Sequence, residues 1–180
     1  MKKIILITLL TISLIFIFII SKINKENLSF VSKYKETYVE KILSKNKSLI
    51  ICIVSSECPG KYETTPLLID NIIKFKKLNI PYIIIADELF NEKIDSKLDN
   101  FKNEFNFKNE EIYILDKGKY PKNGGVLNGK GRYKAFINDL CNLCSNNFIF
   151  GYTNYVLVKD GEYIMQSPDI TSKELNLLKN

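Results

Sequence analysis

The side chains best suited to covalent chemistry in this chain are its four cysteines, Cys52, Cys58, Cys141 and Cys144. The 180 residues include no histidine. That excludes Ser-His-Asp and Cys-His catalysis and every zinc site that uses an imidazole. A cysteine nucleophile here must take its thiolate character from a helix N-terminus or a nearby cation. Cys58 has a prospect of both. It follows the apolar run from Leu49 to Val54 and is followed by Pro59-Gly60-Lys61. Pro59 suits the first turn of a helix, where its missing N–H costs nothing. The free N–H groups and dipole of that helix favour an anion, and Lys61 adds positive charge.

The other three cysteines read differently. Cys52 lies mid-strand among aliphatic residues, as a buried, inert thiol does. Cys141-Asn142-Leu143-Cys144 is a Cys-x-x-Cys at the end of a helical pattern. As half of a zinc site it would need two more ligands, and only Cys52 and Cys58 remain, so no metal or other cofactor is expected. Two readings stay open for the pair: a structural disulfide of an exported protein, or a resolving thiol for Cys58.

The elements that must position these residues follow from periodicity. Apolar residues at helical spacing, Phe30, Tyr34, Tyr38 and Ile42, predict one amphipathic helix over residues 27–46. Residues 48–55 read as a strand buried on both faces. Residues 61–78 read as a helix with Leu67, Leu68, Ile72 and Phe75 inward, kinked at Pro66. A second buried strand is expected at 81–86, a helix at 88–105 and a short strand at 111–115. A Lys- and Gly-rich loop then runs over 116–131, with a helix over 132–143. Residues 155–158 and 163–166 flank Asp160-Gly161 as a hairpin, and residues 172–178 form a closing helix. The layout is α/β with mixed strand directions, with residues 1–22 set apart, 23–47 as a linker helix and 48–180 as the domain.

Lys2 and Lys3 precede an apolar stretch over residues 4–20, the pattern of a secretory signal or signal anchor. It is long for a signal h-region and at the lower edge of a membrane span. Ser21 could serve at the −1 position of a cleavage site, but Ile19 at −3 is poor, which favours an uncleaved single-pass anchor with the domain outside the cytoplasm, periplasmic or at the cell surface. The net charge of +6 is almost all lysine interleaved with Glu and Asp; it reads as a solvated surface and not as a nucleic-acid stripe. Gly124-Gly125-Val126-Leu127-Asn128-Gly129-Lys130-Gly131 nearly matches the phosphate-binding loop, but Gly131 stands where its Ser or Thr must ligate magnesium, so no nucleotide is expected.

The strand, Cys58-Pro59-Gly60-Lys61 and Pro66 resemble the active-site strand and kinked helix of the thioredoxin-like superfamily. The segment Thr153-Asn154-Tyr155-Val156-Leu157-Val158-Lys159-Asp160-Gly161 similarly resembles its strand that begins with a cis-proline. Residues 88–115 look like the insertion of the membrane-anchored, exported redoxin branch. The resemblance implies a thioredoxin-like fold, protein thiols or disulfides as partners, and a site of Cys58, Lys61, Pro59 and Thr153, with Cys141 or Cys144 as a displaced second thiol. The departures are marked. Lys61 stands where the resolving cysteine belongs, Glu57 where tryptophan does, Thr153 where the cis-proline does, and Cys52 where thioredoxin keeps a buried acid. Dithiol exchange between Cys58 and position 61 is thereby ruled out. Two readings follow: a thiol–disulfide oxidoreductase working through Cys58, or a catalytically degenerate module that holds a partner protein. A peroxiredoxin pattern is absent, since Ile51 and Ser55 replace its Pro and Thr.

Overall fold

A computed structural model describes residues 33–55, 60–87, 94–120, 129–142, 144 and 154–178. The strands are β1 (Glu36–Thr37), β2 (Leu49–Ser55), β3 (Tyr82–Asp87), β4 (Ile112–Leu115), β5 (Asn154–Lys159) and β6 (Glu162–Ser167). The helices are α1 (Val39–Leu43), α2 (Lys61–Lys77), α3 (Ile94–Glu104), α4 (Gly129–Leu140) and α5 (Ser172–Leu177). One sheet runs β1-β4-β3-β2-β5-β6. Strands β1, β4, β3 and β2 pair in parallel with one another, and β5 pairs antiparallel with both β2 and β6.

Every residue of β2 is buried, which follows from its place between β3 and β5 with helices over both faces. The period-two alternation of a strand sends Ile50, Cys52 and Val54 into one layer with Leu68, Ile72 and Phe75 of α2. It sends Leu49, Ile51 and Ile53 into the other, with Val39 and Ile42 of α1 and Phe136 and Ile137 of α4. Among the described residues this is a mixed α/β sheet flanked by helices. Strand β4, reached through α3, extends the sheet beyond β3.

The Asp-Gly hairpin forms as expected. Asp160 (φ 55°) and Gly161 (φ 89°) both take left-handed conformations, as a two-residue turn between twisted strands requires. The turn is tied to the start of β2, since the Gly161 N–H donates to the Lys47 carbonyl at 2.8 Å and the Asp160 N–H to Ser48 Oγ at 3.0 Å. Helix α5 opens with a capping box formed by Thr171 and Glu174.

Three expectations are corrected. The described part of the 23–47 linker helix is instead strand β1 followed by the five-residue α1. Strand β4 has an open side, and Glu36 and Thr37 pair with its Ile114 and Leu115. Tertiary pairing thus overrides a helical spacing that Tyr34, Tyr38 and Ile42 mimic. Leu67 points outward at 56 % exposure, because the inward arc of α2 is taken by Thr65, Leu68, Asn71, Ile72 and Phe75. Asn71 has a reason to be there: its Nδ2 donates to the buried Tyr155 hydroxyl at 3.0 Å. Finally, α4 begins at Gly129 and ends at Leu140, so the last part of the phosphate-loop look-alike is helix. Helix α4 is fastened by Arg132, whose Nε donates to the Tyr120 carbonyl at 2.6 Å, and by Tyr133, whose hydroxyl donates to the Ala86 carbonyl at 2.5 Å. Helix α2 itself continues through Pro66.

The apolar run at residues 4–20 lies outside the described residues. Among those described, no helix is long and apolar enough to cross a membrane.

Candidate functional site

In the register of the sheet, Ser55 at the end of β2 stands beside Asp87 at the end of β3, and Asn154 at the start of β5 is paired with Ile53. The carboxyl ends of two parallel strands and the entry of an antiparallel one therefore share one edge of the sheet. Crevices outside such strand ends are where α/β sheets commonly place their chemistry. Cys58, Pro59 and Thr153 fall outside the described residues, but the chain that carries Cys58 joins this edge to α2.

Helix α2 follows Gly60, and no side chain among the described residues caps its N-terminus. The Glu63 and Thr64 N–H groups both reach the Gly60 carbonyl at 3.1 Å. The amides before them have no acceptor within the helix. A 17-residue helix thus has the positive end of its dipole at the point in the chain that follows the Cys58 segment.

Lys61, the first residue of α2, is held in place. Its Nζ lies 2.9 Å from Glu104 Oε2 at the end of α3. The ammonium also sits 4.9 Å from the Tyr62 ring centre and 5.9 Å from that of Phe105, and the two rings are themselves 5.9 Å apart. Burial pulls the Lys61 ammonium toward deprotonation, but the Glu104 hydrogen bond and charge outweigh it, and its pKa is raised. Glu104 is held below the usual carboxylate range by the hydrogen bond from Lys61 and another from Tyr62. The pair is charged throughout neutral pH.

Ser55 is 8 % exposed, and its hydroxyl has no hydrogen-bond partner among the described residues. Cys52 is fully enclosed and free. Burial, and after it the charge of Glu110, pushes its thiol far above the ordinary range. It is no nucleophile.

Cys141 and Cys144 are bonded to each other, with Cα atoms 5.4 Å apart. The Cys141 N–H continues the ladder of α4 by donating to the Ile137 carbonyl at 2.9 Å, and the Cys144 N–H turns back to the Cys141 carbonyl at 3.2 Å. Both residues are half-buried, and Cys144 packs against the layer formed by α1 and α4. No group of acidic residues and cysteines that could hold a metal occurs among the described residues.

The sequence pointed to Lys61 as a free activating cation and missed its partner. Glu104 is far along the chain, and nothing in the local pattern of either residue announces the pairing.

No protein-family model and no curated protein sequence matches the chain. Among solved structures it is similar to a protein from Neisseria meningitidis described as a thioredoxin, with TM-score 0.44, 16 % identity, and coverage of 73 % of this chain and 71 % of that one. It is also similar to the thioredoxin domain of a thiol-disulfide oxidoreductase from Bacteroides vulgatus (TM-score 0.42, 15 % identity, 73 % and 75 % covered). A third likeness is to an Aquifex aeolicus protein described as an electron transfer protein (TM-score 0.45, 10 % identity, 82 % and 90 % covered).

Proposed function

We propose that this protein exchanges thiols and disulfides of other proteins through Cys58, as a membrane-anchored, extracytoplasmic domain. The observation that carries the reading is a matter of elimination. Cys141 and Cys144 are joined and Cys52 is enclosed, so Cys58 is the cysteine left for chemistry, and it lies three positions before the first residue of α2, whose N-terminus no described side chain caps.

In the reaction, the Cys58 thiolate attacks one sulfur of a substrate disulfide. A Cys58–substrate disulfide forms, and the other substrate sulfur leaves as a thiolate. Cys58 is then restored in two displacements. A second thiolate attacks the Cys58 sulfur and releases the remaining substrate sulfur as a thiolate. A third thiolate attacks the second one's sulfur and releases Cys58, leaving the second and third joined as a disulfide. The second and third thiolates come from a dithiol on another molecule or from the reduced Cys141/Cys144 pair. In the latter case the pair ends as the Cys141–Cys144 disulfide, having given two electrons to the substrate. The apolar run at residues 4–20 supports the anchor, and a disulfide in the domain is in keeping with an oxidising compartment.

The test is to trap mixed disulfides with full-length protein and a disulfide-bonded client, then map them by mass. Adducts on Cys58 that vanish in Cys58→Ser support the reading. A wild-type protein that forms none, and shows no reductase activity on a small-molecule disulfide, points to the partner-holding module instead. Accessibility of the domain to protease added outside intact cells tests its location.

A further inference from the structure

We propose that a cleft at the end of the sheet opposite Ser55 and Asp87 binds a small organic carboxylate with an aromatic or branched aliphatic body, its charge held by Lys45 and Asn46. The cleft has a volume of about 250 Å³ and lies where β2, β3 and β4 begin. Its walls include Ile42 of α1, Leu49 of β2, Ile83 of β3 and Tyr113 of β4, and its rim includes Lys45 and Asn46 from the chain just after α1. Ile42, Leu49 and Tyr113 are buried, whereas Lys45 and Asn46 are exposed. An apolar cavity of about 150 Å³ is enough to take up benzene, so this cleft has room for one ring and a carboxylate.

Two carboxylates, Glu110 and Glu111, also line the cleft, and each is already held by a lysine and a tyrosine hydroxyl. Lys76 Nζ and the Tyr82 hydroxyl donate to Glu110, the latter at 2.6 Å. Lys35 Nζ and the Tyr113 hydroxyl donate to Glu111. These two bonds hold the Glu111 carboxyl below the usual range. Tyr113, pushed up to about 12 by burial and by Glu111, keeps the proton it donates. Lys45 differs. Its Nζ reaches the Tyr113 hydroxyl at 3.5 Å and lies 5.5 Å from that ring's centre, and no carboxylate among the described residues pairs with it. An ammonium has three donors, so two remain for a ligand, and the Asn46 amide adds a neutral donor. Setting Lys35, Lys45 and Lys76 against Glu110 and Glu111 leaves one positive charge over. A carboxylate on Lys45 would lay its body against Ile42, Leu49, Ile83 and Tyr113, where burial of apolar surface adds to affinity. The proposal stands whether or not Cys58 exchanges disulfides.

The experiment titrates isotope-labelled full-length protein in detergent micelles with phenylacetate, with its neutral amide phenylacetamide and with the cation phenethylamine, and follows backbone amide shifts by NMR. Phenylacetate should bind with a Kd of about 1 mM or tighter, moving the amides of Lys45, Asn46 and Tyr113 and leaving those of Ser55 and Asp87 in place. The amide and the amine should bind about tenfold more weakly. Lys45→Met, at an exposed position, should keep the thermal unfolding of wild type and lose a similar factor for phenylacetate, while Lys45→Arg should retain binding. Absence of shifts around Lys45, an amine that binds as tightly as the acid, or equal phenylacetate affinity in folded Lys45→Met overturns the proposal.

Discussion

The two ends at which helices meet cysteines in this molecule differ in electrostatic sign. The segment carrying Cys58 runs into the N-terminus of α2, whose first amides no described side chain caps. Cys141 and Cys144 stand at the C-terminus of α4, where Cys141 still donates its amide back into the helix. The positive end of a helix dipole stabilises a thiolate and the negative end opposes one. In an exchange reaction the thiol of lower pKa is also the better leaving group. A mixed disulfide between Cys58 and either of the other two would therefore break so as to release Cys58. Joined cysteines at a helix C-terminus and a reactive one before an N-terminus are what this physics favours. Burial then removes Cys52 from both roles.

The contrast can be broken most sharply by Cys58→Ser. It should abolish exchange with a disulfide substrate, a loss of at least ~100-fold in turnover, while circular dichroism and thermal unfolding stay as in wild type. Equal activity in Cys58→Ser and wild type would move the chemistry to the other end.

Replacing both Cys141 and Cys144 by serine should act on stability. A bridge over so short a loop constrains the unfolded chain by about 2 kcal/mol in the chain-entropy view, which denaturant unfolding would read as a fall in the midpoint at unchanged slope. The first attack by Cys58 should be unaffected. A loss of multiple turnovers with retention of the first would identify the pair as the resolving thiols.

In the reduced, full-length protein, the pH profile of alkylation should place Cys58 below both Cys141 and Cys144. The reverse order would remove the helix ends as the cause of the contrast.

A smaller effect concerns the sheet beneath both ends. Asn71→Ala leaves the Tyr155 hydroxyl buried without its partner and should cost about 1–3 kcal/mol. Calorimetry would show it as a lower Tm with exchange activity preserved.

Much of the framework is written in local pattern. The unbroken apolar run of β2, the Asp-Gly turn with both residues at positive φ, and the α2 boundary just after Gly60 follow from side-chain period and backbone sterics. Each of these forces acts over a few residues, so a linear reading recovers them. It also recovers the enclosure of Cys52, because a central strand buries both faces.

Tertiary structure decided the rest. Thr37 became a strand residue because β4 had an open side to pair with, although the spacing of Tyr34, Tyr38 and Ile42 fits a helix. Leu67 faces water while Asn71 is buried, because Tyr155 on β5 offers Asn71 a hydrogen bond. Cys141 and Cys144 chose each other from the pairings their sequence allowed. Lys61, legible as a cation beside a thiol, was claimed by Glu104 from another helix. In each case the deciding partner is distant in the chain, and only folding brings it within the few ångströms over which hydrogen bonds and ion pairs act.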